Sequence, residues 1–377
     1  MAGTFTAVCW LFATVIVASL LMTRSMMALA QKRGWVVGPK ADRWSKTPTA
    51  LFGGVAIVAA FYVGALAAMY HFGSLQHFDL IGLLAGAGLL FVLGVRDDIK
   101  PLNPLVKLVG QVLAIMPFLV GAGLAFTSTT FVLSIPLVLF WILALTNSFN
   151  LLDNMDGLSA GTASIVGMAI GAYSLLNHQL LPGALALLVT ASCLGFLFYN
   201  FRARGPARIF MGDCGSMFLG FILAGLAVIA FCPVAPMSLD RQAAQCALPL
   251  LIMAMPIFDT TLVVIIRKRE GRAISQGGRD HSSHRLVYSG FSDKGAVLML
   301  FCVSVAAGTI AVLLGQMHNS SMVFASIGVE MLFLAWFGAH LSQFREPTRA
   351  IVRPLSRNGE LENGHRHLVE SGSDHEN

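Results

Sequence analysis

Two carboxylates stand side by side at Asp97-Asp98, in the stretch GVRDDIKPLNPLVKL. Adjacent carboxylates repel unless a cation, a lysine or a proton relieves them, and Arg96, Lys100 and Lys107 are near in sequence. Alone the pair is a weak signal, since a solvated helix end looks the same. A second group recurs at intervals of three: Asn147, Asn150, Asp153 and Asp156 in NSFNLLDNMDGLSAG. On a helix that spacing gives a shallow spiral on one face, ending at Gly157, and amide and carboxylate oxygens are hard ligands suited to Mg²⁺. The plain alternative is a run of caps and turn formers. A third segment, FMGDCGS, sets Asp213 between two glycines ahead of an apolar run. There backbone N–H groups can approach a phosphate and a helix N-terminus adds positive charge, although N-capping accounts for Asp213 as well. Asn200, Arg202, Arg204 and Arg208 precede it, placed to hold anionic oxygens. A fourth, RKREGRAISQGGRDHSSHRLVYSGFSDKG, carries His281 and His284 beside Arg279, Asp280 and Arg285. A Zn²⁺ site would need a third soft ligand, which is missing, so two histidines flanked by arginines suit a diphosphate better.

The elements that must position these groups are membrane helices. Of 377 residues, 56% are hydrophobic and 12% charged, against about 25% charged in soluble domains. The apolar residues come in blocks, and about 20 residues of helix cross a hydrocarbon core of about 30 Å. Such blocks lie at 5–22, 50–70, 78–95, 105–125, 129–146, 158–176, 182–199, 214–231, 243–266, 295–315 and 321–342. The fold class is therefore an all-α integral membrane protein of about eleven spanning helices, residues 1–342, followed by a polar tail, 343–377, with the composition of a disordered segment. Asp259 falls about two turns inside the ninth block, and its role is the least defined.

Orientation follows from the loops. With the N-terminus outside, 24 of the 25 Lys and Arg residues fall on cytoplasmic segments, and only Arg241 lies outside. The C-terminus is then cytoplasmic, and so is every candidate loop above. Ala28-Leu29-Ala30 resembles a cleavage site, but no basic segment precedes the apolar run, so the first helix reads as uncleaved. The net charge of +6 describes one membrane face and gives no hint of nucleic acid. The six cysteines are scattered without metal-ligand spacing and read as packing residues. A transporter or lipid flippase would need carboxylates along the membrane depth and polar positions on both faces. Here Asp259 alone is clearly inside, the outer loops are short, and no inverted repeat is visible.

Taken in order, from Lys46-Thr47-Pro48 and Gly53-Gly54 to His284-Arg285-Leu286, these segments resemble the polyprenyl-phosphate N-acetylhexosamine-1-phosphate transferase superfamily, the glycosyltransferase 4 family. That family includes bacterial undecaprenyl-phosphate GlcNAc-1-phosphate transferases and phospho-N-acetylmuramoyl-pentapeptide transferase. The resemblance implies an enzyme of the bacterial inner membrane with its site facing the cytoplasm. It would transfer GlcNAc-1-phosphate, or another UDP-linked N-acetyl sugar phosphate, to undecaprenyl phosphate with Mg²⁺ (or Mn²⁺), initiating surface-glycan synthesis. Its partners would be the lipid phosphate, the UDP-N-acetylhexosamine and membrane lipid; a homodimer is compatible with it. By position, Asp97 and Asp98 match the family's acidic pair, implicated in activating or placing the lipid phosphate, and Asp153 and Asp156, with Asn150, match its Asn/Asp-rich loop; the resemblance makes these four aspartates the catalytic candidates. Asn150 and Asp213 match the Mg²⁺ ligands. Asn200 and Phe210 fall where relatives hold the uracil, and Lys46, Lys107 and Arg285 join them as substrate-binding candidates. His281 and His284 match the first and last histidines of an HxHH motif, whose middle position is Ser283 here. That departure bears on sugar identity and moves the chain away from the pentapeptide enzyme.

Overall fold

The computed structural model describes residues 2–38, 48–72, 77–125, 129–232, 238–274, 277–317 and 319–345. Lys46 and the tail beyond Arg345 lie outside the described residues. In lipid every backbone N–H and C=O must be satisfied within the chain, which leaves helices as the solution for such apolar blocks. Among the described residues, ten helices are long and apolar enough to cross a bilayer. They are α1 (Ala2–Arg33), α2 (Gly53–Phe72), α3 (Phe78–Ile99), α4 (Pro104–Ala125), α5 (Thr129–Leu152), α6 (Leu158–Leu176), α7 (Leu180–Asn200), α8 (Asp213–Phe231), α12 (Asp293–Met317) and α13 (Ser320–Leu341).

The remaining expected span, 243–266, is broken. α9 (Leu239–Ile252) and α10 (Ala254–Arg269) meet at Met253 and bend by 68°. Pro249 lies within α9 and Pro256 in the first turn of α10. A proline at 256 has no N–H to return to the carbonyl four residues earlier, so the ladder is interrupted where the chain turns. Counted as one span, the pair brings the total to eleven. A short helix, α11 (Ser282–Tyr288), lies in the loop before α12.

α8 is the axis of the bundle. It is almost wholly buried and packs against α2, α3, α5 and α6, whereas α1 and α13 are mostly exposed at the periphery. Gly94 in α3 permits the approach at the site end, because a Cβ there would stand 2.9 Å from the carbonyl carbon of Asp213.

The loops expected on one membrane face do gather at one end. A two-stranded hairpin, β1 (Val36–Val37) and β2 (Thr49–Ala50), links α1 to α2, and Ala50 bridges in parallel to Ile209 before α8. Gly53 N–H and Gly54 N–H donate to the carbonyls of Phe210 and Met211 at 2.8 and 2.9 Å. Lys294, at the start of α12, donates to the Ala203 carbonyl at 2.7 Å. The hairpin carries no sequence signal beyond the Val36-Val37 pair. α13 also holds an acid at membrane depth that the sequence reading passed over, Glu330, on an apolar groove of about 440 Å³ between α10 and α13.

Candidate active site

Lys107, in the first turn of α4, is the point on which the acidic segments converge. Its ammonium donates to Asp97 Oδ2 at 2.8 Å, to Asn150 Oδ1 at 3.3 Å and to Asp213 Oδ2. These groups come from the ends of α3 and α5 and the start of α8, so three separate loops meet on one cation. Asn150 is held for this by its other end, since Nδ2 donates to Ser216 Oγ at 3.0 Å. Leu102 N–H fixes the second Asp97 oxygen at 2.6 Å. One turn deeper, Gln111 and Asn147 exchange amide hydrogen bonds at 3.2 and 2.9 Å, clamping α4 to α5 beneath the lysine. Two carboxylates and an amide oxygen around one ammonium leave a net negative, hard-oxygen set. Hard-oxygen donors of this kind would suit Mg²⁺.

Asp98 does something different from Asp97. Its two oxygens accept the N–H groups of Asp213 and Cys214 at 2.8 and 3.0 Å, capping α8 from a neighbouring helix. Gly212 turns with φ of 80°, and a Cβ there would lie 2.6 Å from Asp98 Oδ2. The α8 N-terminus, expected to offer its N–H groups to a phosphate, thus already spends two of them on Asp98. Asp213 does not cap its own helix.

The expected spiral is cut short because α5 ends at Leu152. Asn147 and Asn150 are helical, while Asp153 and Asp156 stand in the turn beyond. Asp153 is half-buried. Asp156 accepts the Ala207 N–H at 2.8 Å, tying this turn to the arginine-bearing loop. Burial pushes its carboxyl above the ordinary range, against the lowering effect of that N–H. Asn200, expected at the uracil end, is buried; it accepts from Gly157 N–H at 2.7 Å and donates to the Ile209 carbonyl at 2.8 Å. Phe210 is half-buried, its N–H bonded to the Ala50 carbonyl at 2.8 Å.

The histidine loop is held from two sides. Ser283, at the position where the motif has a histidine, donates to Asn154 Oδ1 at 2.7 Å and so joins the α5–α6 turn. His281 Nδ1 lies 2.8 Å from Asp259 Oδ2 in α10. The rings of His281 and His284 meet edge to face at 5.6 Å between centroids. Burial, with the neighbouring His281, holds His284 down to about 3, so it is neutral at pH 7. Asp280 is gripped by Arg272 and Arg267 at 2.7 and 3.1 Å; burial would raise its carboxyl, but the two arginines outweigh it and hold it below the usual range. Arg285, expected among the substrate-binding groups, is buried and committed elsewhere. Its guanidinium donates to the carbonyls of Asp280, Ser342 and Phe344 at 3.0, 3.2 and 2.7 Å, pinning the end of α13 to the loop. Sequence reasoning missed Gln111, Asn154 and Ser216 as supporting residues. Gln111 was findable, since it follows Lys107 by four residues and shares its helix face.

Comparison with known proteins assigns the family. Residues 80–231, which hold Asp97, Asp98, Lys107, Asn150, Asp153, Asp156, Asn200, Phe210 and Asp213, match glycosyl transferase family 4. The chain is 32% identical over 364 residues, 92% of its length and 97% of the relative's, to a Bacillus subtilis protein named "Probable undecaprenyl-phosphate N-acetylglucosaminyl 1-phosphate transferase". It is 31% identical over 306 residues to the decaprenyl-phosphate N-acetylglucosaminephosphotransferase of Mycobacterium leprae, covering 72% of this chain and 75% of the relative. To the phospho-N-acetylmuramoyl-pentapeptide-transferase of Bacillus thuringiensis it is 35% identical over 214 residues, covering 51% of this chain and 64% of the relative. With a relative of this identity matched along nearly its whole length, the chain belongs to glycosyl transferase family 4.

Proposed function

We propose that the protein transfers an N-acetylhexosamine 1-phosphate, with GlcNAc-1-phosphate the leading candidate, from its UDP-sugar to undecaprenyl phosphate, at the cytoplasmic face of the bacterial inner membrane. The observation that carries this reading is the convergence of Asp97, Asn150 and Asp213 on the Lys107 ammonium. In the reaction a phosphate oxygen of the lipid forms a bond to the β-phosphorus of the UDP-sugar. The bond from that phosphorus to the bridging oxygen breaks, and UMP leaves with the electron pair. The nucleophile is already anionic near pH 7, so positioning and charge neutralisation matter more than proton removal. Lys107 would meet phosphate oxygens while remaining tethered to Asp97. Asn150 and Asp213 would hold Mg²⁺, which supplies neutralisation of the diphosphate as charge moves to UMP. Asp98 keeps the start of α8, and with it Asp213, in place. The histidine loop serves the donor diphosphate through His281.

The names of relatives support a polyprenyl phosphate acceptor and an N-acetylglucosamine phosphate donor. The pentapeptide transferase match covers about half of the chain, and Ser283 departs from the motif. The site end of the bundle is where the basic loops gather, which supports a cytoplasmic site. The test is UMP release from a panel of UDP-sugars by purified protein with undecaprenyl phosphate and Mg²⁺. UDP-GlcNAc is expected to give UMP and lipid product in equal amounts. Turnover only with UDP-MurNAc-pentapeptide would reassign the donor, and turnover with none would overturn the activity.

A further inference from the structure

Asp259 is fully buried and takes three hydrogen bonds from the histidine loop: His281 Nδ1 at 2.8 Å, Ser282 N–H at 2.8 Å and Ser282 Oγ at 2.6 Å. An ionised carboxylate accepts only. With both Ser282 donors on Oδ1, Oδ2 is left to receive a proton carried by His281 Nδ1. That fixes the tautomer, because the second ring nitrogen, Nε2, is then the one available to a ligand. A neutral ring held this way presents a lone pair at Nε2, which repels a phosphate oxygen. An anion can be bound through Nε2 only when that nitrogen is protonated too, and the buried carboxylate supplies the countercharge for the imidazolium. The bend at Met253 sets the direction of α10, on whose second turn Asp259 sits.

The other charged groups around His281 do not supply this countercharge. His284 on α11 is held neutral by burial. Arg279 adds positive charge, and Asp280 is engaged by Arg267 and Arg272. We propose that Asp259 is a positioning residue for the transfer, locking His281 in the Nδ1–H tautomer so that donor binding adds a proton at Nε2 and the ring meets the diphosphate as an imidazolium. The proposal rests on placing His281 at the donor, as above.

The experiment is calorimetric titration of UDP-GlcNAc with Mg²⁺ in two buffers of different ionisation enthalpy at about pH 7.5. Wild type is expected to take up protons on binding UDP-GlcNAc. In Asp259→Asn the amide Nδ2 faces His281 Nδ1 and donates to it, moving the ring proton to Nε2 before binding. Proton uptake should vanish, and KM for UDP-GlcNAc should rise about tenfold with a smaller change in kcat. Ser282→Ala removes one Asp259 contact without touching the ring, and proton uptake should persist. Unchanged uptake in Asp259→Asn, or its equal loss in Ser282→Ala, would reduce Asp259 to a loop anchor and overturn the proposal. Nitrogen-15 NMR of histidine-labelled wild type, assigned with His281→Gln, reads the tautomer directly. A neutral Nε2–H ring would overturn the proposal even if the Asp259 variant does not fold. Failure of wild type to bind any UDP-sugar would instead sink the proposed function, while the tautomer remained measurable.

Discussion

Asp98→Asn separates the two members of the acidic pair. In the wild type the Asp98 carboxylate accepts two backbone N–H groups at the first turn of α8, at 2.8 and 3.0 Å. Hydrogen bonds to a charged group are worth about 1.5–3 kcal/mol each, and a carboxylate at a helix N-terminus gains up to about 1 kcal/mol more from the helix dipole. An asparagine keeps one acceptor, now uncharged, and sets its NH₂ against the other N–H. The net loss is about 3 kcal/mol. Asp97→Asn keeps an acceptor for Leu102 N–H and loses charge only toward the partly solvated Lys107, at about 1 kcal/mol. The assay is reversible unfolding by SDS in mixed micelles, followed by fluorescence. Trp141 is a useful reporter because its Nε1 donates to the Ala224 carbonyl of α8 at 3.2 Å. Asp98→Asn should unfold at clearly lower SDS than Asp97→Asn, while both lose activity. An Asp98→Asn protein as stable as wild type (within about 0.5 kcal/mol) and yet inactive would refute the capping argument and return Asp98 to the chemistry.

Four further outcomes are expected. Asn150→Ala and Asp213→Asn should each weaken Mn²⁺ binding by about 10-fold or more, read by electron paramagnetic resonance on folded protein; unchanged binding would put the metal elsewhere. His284 has a folded pKa of about 3, below its unfolded value, so the stability it contributes is full above about pH 6.5 and falls as pH drops toward 3. The loss is about 2 kcal/mol at pH 5, and His284→Gln should shrink the stability difference between pH 7.5 and pH 5 by about that amount. Ser283→Ala should cost about 1 kcal/mol by cutting the tie to Asn154, and no change in SDS unfolding would mean the tie is idle. A cysteine placed at position 75 should react with an impermeant thiol reagent in intact cells, and one in the C-terminal tail should not; the reverse would invert the orientation.

Most of the fold was legible because each helix is written as one apolar block, and lipid leaves the backbone no alternative. The break at Met253 was not read, although Pro249 and Pro256 were in view, because the hydropathy runs unbroken through them. The candidate residues that meet on Lys107 were legible in their types and loops. What the sequence could not assign was direction. Asp97 and Asp98 are neighbours in the chain, yet one faces Lys107 and the other the α8 backbone, a choice set by the rotation of α3 against α8. Likewise Arg285 reads as an anion ligand in sequence and becomes a strut once the end of α13 lies beside it. Asp259 stood alone in its block, and its meaning depended on a loop more than twenty residues away.

The most direct test of the account follows the β-phosphate. UDP-GlcNAc labelled at that phosphorus is given to the purified protein with undecaprenyl phosphate and Mg²⁺. The label is expected to enter the lipid fraction, UMP to appear in equal amount, and added UMP to drive the label back into UDP-GlcNAc. Retention of the label in released UDP, with the sugar alone moving to lipid, would contradict it.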